Sequence, residues 1–326
     1  MTPAIDENAE ARQFALEASL DGICGIIRNR RFRAKAPHFG YPLEQPVVWV
    51  KYGDPWMEAE ADMQRLAWQL VRDERQAGRC NPGIYIPEVF KTFPNPRDPS
   101  IFVVVMELVK GTVLEKSVYA KPRGSLHPVE QCYDLIAEAI QLLRRMPVPH
   151  DATPGPYTPN HELRLISHPL FKDQRAGIVF QNIEELEGHI NGVPIVSAAP
   201  GAPPTVALER ELVFAYSDIH DHNFMFNRDH EGILRLYVID FGHASFLPVS
   251  LLAHVVLQNF GCSTPKHIAK RIGATLPVTN IEALGHAAKM LARVRREAGL
   301  SRRDSACSLT PVEGLQDQEL SAWCRW

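Results

Sequence analysis

One polar segment, flanked by apolar stretches on both sides, constrains this chain more than any other feature. Residues 216–223 read YSDIHDHN, and the apolar stretch 234–239 further on ends in Asp-Phe-Gly at 240–242. β-Branched and aromatic residues make the flanking stretches strand candidates, and the turn residues of 227–232 predict a hairpin between them. Carboxylate and amide side chains therefore collect where the predicted strands end. They are Asp218, Asn223 and Asp240.

The spacing Asp-x-His-x-x-Asn, followed by an apolar strand ending in Asp-Phe-Gly, resembles the catalytic and metal loops of aminoglycoside phosphotransferases and choline kinases. By this resemblance, Asp218 is the catalytic residue, and Asn223 and Asp240 hold Mg²⁺. The chemistry agrees, because phosphoryl transfer needs a carboxylate near the acceptor hydroxyl and hard oxygen ligands for the metal. Each residue alone would be an ordinary turn cap. Their joint spacing favours the functional interpretation.

A lysine and a glutamate upstream match a second element of that family. Lys51 lies near the end of the predicted strand 47–52, and Glu60 follows nine residues later on a predicted helix. The resemblance implies that Lys51 reaches the α- and β-phosphates of ATP and that Glu60 holds it there through an ion pair. Glu58 competes for this role. Glu60 is preferred because it shares the inward apolar stripe of the helix.

Two further features bear on adenine binding. Trp49 lies two residues before Lys51 and therefore points to the same face of the strand, where an indole can stack on a base. Ordinary core packing is the alternative for this residue. Residues 106–111 (MELVKG) resemble the family's hinge between lobes, which implies base contacts from the Glu107 carbonyl and the Val109 amide. The sequence also departs from the family, because Tyr216 replaces the usual His and no Gly-x-Gly-x-x-Gly loop is present.

The pattern of predicted elements changes along the chain. Strand candidates at 23–32, 84–93 and 101–109 surround one helix, whereas helical patterns such as 129–143 dominate afterwards. The predicted fold is α+β and protein-kinase-like, with an N-terminal antiparallel sheet lobe and a larger helical C-lobe. The predicted boundaries are 1–106 for the N-lobe, 107–111 for the hinge, 112–299 for the C-lobe and 300–326 for a disordered tail.

Composition restricts the class of protein. With 326 residues and 45% hydrophobic content the chain can form a full core, and a net charge of -3 gives no general field for nucleic acid or membranes. Six widely spaced cysteines favour reduced thiols over disulfides or a zinc site. The longest apolar run is too short to span a bilayer. A soluble, cytoplasmic protein without nucleic-acid or membrane partners is expected.

The function predicted from these features is ATP-dependent transfer of the γ-phosphate to a hydroxyl of a small molecule, with ATP and Mg²⁺ as cofactors. The first alternative is a pseudokinase-type binding module without turnover, which the altered Tyr216 favours. A protein kinase ranks lower, because no Ala-Pro-Glu segment follows Asp240. A zinc hydrolase built on His220, His222 and His243 would make the Lys51, Glu60 and hinge matches coincidental. The acceptor and the oligomeric state stay open.

Overall fold

The computed structural model describes residues 8–31, 37–114, 128–192, 204–258 and 263–297. The α-helices are α1 Ala9–Glu17, α2 Leu20–Arg31, α3 Met57–Gln76, α4 Val129–Arg144, α5 Ile183–Asn191, α6 Val249–Leu257, α7 Ser263–Ile272 and α8 Ile281–Glu297. The strands are β1 His38–Tyr41, β2 Val48–Gly53, β3 Ile84–Tyr85, β4 Val89–Pro94, β5 Phe102–Glu107, β6 Thr112–Val113, β7 Leu212–Tyr216, β8 Phe224–Arg228, β9 Leu234–Val238 and β10 Ala244–Pro248.

An antiparallel sheet of order β1-β2-β5-β4 forms the N-terminal region. Side chains alternate across β2, so that Val48, Val50 and Tyr52 are buried on one face while Trp49 and Lys51 point to the other. Helices α1 and α2 cover the first face, and their buried residues Ala15, Ile23 and Ile27 join its hydrophobic cluster. The second face is left to α3 and to the candidate site.

Helix α3 contributes to two hydrophobic clusters. Near its start, Met57 and Ala61 pack beneath the N-terminal sheet with Val104 and Met106. Further along, Met63, Ala67 and Val71 belong to the main core, which is otherwise built by the C-terminal helices and strands. One helix therefore fills space in both regions.

The C-terminal region combines helices with two small sheets. One sheet has the order β3-β9-β8-β6 and the other pairs β10 with β7. Helix α4 packs against α7, and α6 packs against α7 and α8, around a core rich in phenylalanine and leucine. The hairpin predicted around 227–232 is present, because β8 and β9 pair antiparallel on either side of it. The predicted α+β, protein-kinase-like arrangement, with an N-terminal antiparallel sheet and a larger helical region, is confirmed.

The strand predicted at 23–32 is wrong, because these residues belong to helix α2. Ile23 and Ile27 lie four residues apart and are both fully buried against the sheet, which is the spacing of one helix face. A short apolar run does not separate a strand from one buried helix face by sequence alone. Residues 32–36, which contain the end of the predicted strand, lie outside the described residues, as does the predicted tail.

The single strand predicted at 84–93 is also wrong, because the chain breaks it at Pro87. Proline lacks the N–H that a sheet ladder requires. Residues 84–85 pair in parallel with β9 of the C-terminal region, and β4 begins only at Val89. β3, which lies within the predicted N-lobe, therefore joins a sheet of the C-terminal region before the chain reaches 107–111. No helix in the described ranges has the length and apolarity needed to cross a membrane.

Candidate active site

Lys51, Glu60 and Asp240 form a contact that we call the Lys51 centre. The Lys51 Nζ atom donates to Glu60 Oε1 at 2.7 Å and to Asp240 Oδ1 at 3.1 Å. The two acceptors lie nine and 189 positions away along the chain. The structure therefore joins three of the residues predicted from sequence into one cluster, with Glu60 rather than Glu58 as the lysine's partner on α3.

The helix explains why Glu60 is the partner. Glu60 lies three and seven residues before Met63 and Ala67, which are both fully buried, so that the three share one face of α3. Glu58 lies off this face, and its pKa is raised by partial burial and by the neighbouring Asp62 carboxylate. The inward stripe of α3 therefore orients Glu60 toward the sheet.

Burial and the neighbouring charges shift the pKa values of the three groups of the Lys51 centre to different extents. Burial acts to lower the pKa of Lys51, but the carboxylates of Asp240 and Glu60 outweigh it and hold the amine protonated. Burial acts to raise the pKa of Asp240, but Lys51 outweighs it, so that the pKa falls below its ordinary value. For Glu60 burial prevails over Lys51 and the pKa is raised. Asp240 is accordingly the more firmly ionised carboxylate.

Asp240 has an unusual backbone conformation. Its φ angle is +61°, in the left-handed region that few residues other than glycine adopt. The next residue, Phe241, is fully buried and packs its ring against Phe214 and Tyr216, with centroids 6.4 and 5.3 Å apart. Such conformations persist where the surroundings enforce them and are common at functional sites. The buried ring anchors the turn that holds the Asp240 carboxylate beside Lys51.

Residues 216–223, which we call the Asp218 loop, are tied to the Asp240 turn by hydrogen bonds. The Tyr216 hydroxyl donates to the Ile239 carbonyl at 2.6 Å, and the Ile239 amide donates to the Asn223 carbonyl at 3.0 Å. Within the loop, Asn223 Nδ2 donates to the Asp218 carbonyl at 3.0 Å. Tyr216 is thus a buried structural link between the two segments.

Histidines lie near Asp218. His220 Nε2 lies 3.5 Å from Asp218 Oδ1, and the rings of His220 and His222 are stacked at 5.4 Å. Burial lowers the pKa of His243, although Asp218 and Asp240 act in the opposite direction. Within the described part of the chain, no group of three or more His, Cys, Asp or Glu side chains is placed to hold a metal. The proposed Asp240–Asn223 pair offers a carboxylate and an amide oxygen, which are the hard donors that Mg²⁺ takes.

The residues predicted to contact adenine lie beside the end of β5. Trp49 shares the face of Lys51, packs with Met106 and lies 5.0 Å from the ring of His38. β5 ends at Glu107, whose carboxylate accepts from Asn8 Nδ2 at 2.9 Å and from the Glu88 amide at 3.2 Å. Val109 follows β5, outside any regular element.

Several residues around the site were missed by sequence reasoning. Arg12 on α1 makes a two-pronged contact with Glu88, at 2.8 and 2.6 Å, next to Glu107. Asp221 is buried and accepts from the Thr264 hydroxyl. These partners are separated by 76 and 43 positions, and no local pattern joins them. The one signal for Asp221 is that its carboxylate is buried although the loop around it is polar. Burial is a property of the folded chain, so the sequence alone does not show it.

Comparisons with known proteins find similarity at the level of whole structures. No family model and no curated protein matches the chain. Among solved structures, the chain is similar to aminoglycoside phosphotransferase APH(4)-Ia in complex with AMP-PNP and hygromycin B, with 11% identity, a TM-score of 0.43, and 77% of this chain and 79% of that chain covered.

Two other solved structures, both of kinases that act on small molecules, are similar to this chain at low sequence identity. The ethanolamine kinase of Plasmodium vivax has 12% identity and a TM-score of 0.33, with 75% of this chain and 66% of that chain covered. The amicoumacin kinase hAmiN, in complex with AMP-PNP, Ca²⁺ and Ami, has 10% identity and a TM-score of 0.39, with 85% and 79% covered. The fold assignment rests on this chain's own strand order and helix packing.

Proposed function

We propose that this protein is an ATP-dependent phosphotransferase that moves the γ-phosphate of ATP to a hydroxyl of a small-molecule acceptor. The observation that carries the proposal is the Lys51 centre, in which a lysine on a strand contacts a helix glutamate and the aspartate of Asp-Phe-Gly. A protonated amine that stays partly exposed suits the phosphates of a nucleotide. ATP would lie between an N-lobe of 1–106 and a C-lobe of 112–299, beside a hinge at 107–111.

Each residue of the Lys51 centre has a role in this proposal. Lys51 would bind the α- and β-phosphates, and Glu60 would hold the amine in place from α3. Asp240 and Asn223 would hold Mg²⁺, and the lowered pKa of Asp240 keeps its carboxylate ionised for that purpose. When bound, Mg²⁺ would neutralise the charge on the phosphate oxygens.

Asp218 would act on the acceptor. Its carboxylate accepts the proton of the acceptor hydroxyl while the hydroxyl oxygen attacks the γ-phosphorus. The bond between the γ-phosphorus and its bridging oxygen breaks, and ADP leaves with that oxygen. The hydrogen bond from Asn223 Nδ2 to the Asp218 carbonyl fixes the backbone from which this carboxylate extends. Positioning of this kind accounts for much of the rate of phosphoryl transfer.

Adenine would bind beside the end of β5. The Glu107 carbonyl and the Val109 amide would pair with the edge of the base, and the Trp49 indole would stack on its face. Asn8 and Arg12 hold the side chains of Glu107 and Glu88, and thereby fix the backbone that would meet the base. The proposal includes a cytoplasmic location, where ATP is abundant and thiols are kept reduced.

The test combines binding and turnover. Mg²⁺ and ATP together should raise the melting temperature, since a ligand that binds only the folded state stabilises it by mass action. Phosphate transfer is then followed across a panel of hydroxyl-bearing metabolites and antibiotics, with generic protein substrates as a separate arm. No stabilisation by millimolar ATP would refute the nucleotide site, and no transfer to any acceptor would refute the enzyme.

A binding module without turnover is the second candidate. It is favoured by the buried Tyr216 in place of the family's His and by the absence of a Gly-x-Gly-x-x-Gly loop. The described residues before β1 form helices, of which α2 is the nearest, and no strand. They therefore supply no strand that could carry a glycine-rich loop. Under this alternative, ATP raises the melting temperature, yet transfer to every acceptor stays at the rate of Asp218→Asn.

A further inference from the structure

A cavity of about 80 Å³ borders the Lys51 centre, because Glu60 is one of its lining residues. Its walls come from the start of α3, from the segment that follows Asp240, and from residues 156–175. A buried water takes about 10–15 Å³ of such a volume, so the cavity holds a molecule of about six non-hydrogen atoms. Asp218 is not among its lining residues, whereas Glu60 and Gly242 are.

One wall carries a buried hydroxyl that the protein itself leaves unused. Ser245 is 1% exposed, lines the cavity, and its Oγ has no hydrogen-bond partner among the described residues. A buried hydroxyl without a partner costs free energy, so native chains rarely retain one without a reason. The Oγ itself has almost no accessible surface, so a ligand in the cavity would supply the missing partner after the Ser245 side chain rotates toward it.

A cation completes the same wall. Arg175 pairs with Ser167 through an isolated β-bridge, and both residues line the cavity. The Arg175 guanidinium lies 4.9 Å from the Trp56 ring and 3.9 Å from the Asp54 carboxylate, which is at the outer limit of an ion pair. A planar guanidinium held by an aromatic ring is suited to bind a carboxylate through two parallel hydrogen bonds.

Glu60, which also lines the cavity, presents an acceptor. Glu60 uses Oε1 for Lys51. Its second oxygen, Oε2, lies on the side of Gly242, 3.4 Å from the place where a Cβ on that residue would lie. A ligand hydroxyl that donates to this oxygen would fix the carboxylate that orients Lys51. The cavity therefore offers a cation at one wall, a carboxylate oxygen at another, and a serine hydroxyl that can donate or accept.

We propose that this cavity is a regulatory site for a small hydroxylated carboxylic acid, which binds Arg175 through its carboxylate and reaches Glu60 and Ser245 through its hydroxyls. Binding would hold Glu60 toward Lys51 and so tighten ATP binding. The effect on ATP binding rests on the proposed function, whereas binding of the acid in the cavity does not depend on it. The cavity takes a ligand of the size of glycerate.

The test is calorimetric titration with glycerate, first without nucleotide. Propionate lacks the hydroxyls of glycerate, and glycerol lacks its carboxylate, so these two compounds separate the two contacts. We expect a Kd of about 1 mM for glycerate, as befits a ligand of this size, and binding at least about tenfold weaker for both analogues. A wild-type protein that binds no glycerate, or binds either analogue equally well, overturns the proposal.

Three variants locate the ligand. Arg175→Ala and Ser245→Ala should each weaken glycerate binding by about tenfold. Ser217→Ala is the matched control, because Ser217 also has a buried hydroxyl without a partner among the described residues but does not line the cavity. Its glycerate affinity should equal that of the wild type. Unchanged affinity in both Arg175→Ala and Ser245→Ala would place any bound glycerate elsewhere and overturn the proposal.

The last arm tests regulation. Glycerate should tighten ATP binding about threefold in the wild type but not in Arg175→Ala, and ATP should tighten glycerate binding by the same factor. Phosphorylation of glycerate, followed by ³¹P NMR, would make it an acceptor and overturn the regulatory assignment. If ATP fails to bind at all, the proposed function fails, while glycerate binding in the absence of nucleotide still decides the cavity.

Discussion

The Lys51 centre and the Asp218 loop differ in how far apart their parts lie along the chain. Lys51 contacts a helix nine positions away and a turn 189 positions away, through charged side chains. The Asp218 loop combines local hydrogen bonds, such as those from the His220 amide to the Asp218 carbonyl at 2.9 Å and from the Asn223 amide to the His220 carbonyl at 3.0 Å, with bonds to Ile239 and Thr264 of the same C-terminal region. The Lys51 centre depends on how the N-terminal and C-terminal regions are placed, whereas the Asp218 loop depends on contacts made within the C-terminal region alone.

This difference separates two effects of mutation. Changes in the Lys51 centre should alter nucleotide binding, because three charges are balanced there. Changes at the Asp218 carboxylate should alter the chemical step while nucleotide binding persists. The proposed function requires both patterns, whereas a binding module requires only the first.

The largest expected effect is at Asp218. Asp218→Asn keeps the size of the side chain but removes the proton acceptor, so turnover should fall by about a hundredfold to ten-thousandfold. ATP affinity, measured by calorimetry, should stay within about tenfold, or about 1.4 kcal/mol. Equal rates of phosphate transfer by wild type and Asp218→Asn would contradict the catalytic assignment.

A smaller effect on turnover, but a larger one on binding, is expected at Asp240. Asp240→Ala removes a proposed metal ligand and one partner of Lys51, so ATP affinity should fall about a hundredfold, or about 2.7 kcal/mol. The readout is the stabilisation by Mg²⁺ and ATP in a thermal melt. Asp73→Ala, on the exposed side of α3, is the control and should keep the full stabilisation. Retention of the stabilisation by Asp240→Ala would exclude the metal role.

Trp49 should have an effect of about tenfold. If its indole stacks on adenine, Trp49→Ala loses part of a contact worth about 1–3 kcal/mol, and ATP should quench or shift the indole fluorescence of the wild type. Trp68→Ala is the matched control, because Trp68 packs on α3 against the main core and under the Arg72 guanidinium. Unchanged ATP affinity in a folded Trp49→Ala protein would assign this indole to packing alone.

The smallest expected effect is a change of about 2 °C in melting temperature with pH. As pH falls, protonation of Glu60 should stabilise the protein, whereas protonation of Asp240 should destabilise it. The raised pKa of Glu60 means that its contribution to stability is full below its ordinary value of 4.5 and is lost as pH rises through the folded value. The lowered pKa of Asp240 means that its contribution is present above 3.8 and is lost as pH falls through the folded value.

Two variants measure these signs. As pH falls from neutral toward 4.5, the wild type should gain stability relative to Glu60→Gln. As pH falls below 3.8, it should lose stability relative to Asp240→Asn. Parallel curves for the wild type and either variant would mean that Lys51 and burial do not perturb that carboxylate as the geometry indicates.

The same contrast explains what the sequence could predict. Asp218, Asn223 and Asp240 could be predicted as site residues because an ordered motif and a strand pattern lie within 27 residues of one another. The pairing of Lys51 with Glu60 followed from one strand and one helix nine residues apart. The α+β class followed from the change of pattern near residue 111.

The rest was inaccessible for physical reasons. Helix α2 was mistaken for a strand, because Ile23 and Ile27 identify a helix face only once the sheet that covers them is known. The contacts of Asn8 with Glu107 and of Arg12 with Glu88 span 99 and 76 positions and depend on tertiary placement. The Arg175 cavity is likewise a product of three distant segments.

Helix α3 has a thermodynamic consequence for the whole molecule. Its first turns fill the cluster under the N-terminal sheet, and Met63, Ala67 and Val71 fill the main core. If the N-terminal region melted alone, it would have to extract fully buried side chains from the other core or leave the helix without half of its packing. Neither partly unfolded state is favourable, because most helical stability in proteins comes from packing. The two regions are thereby coupled into one cooperative unfolding unit, in which weakening either cluster lowers the stability of both.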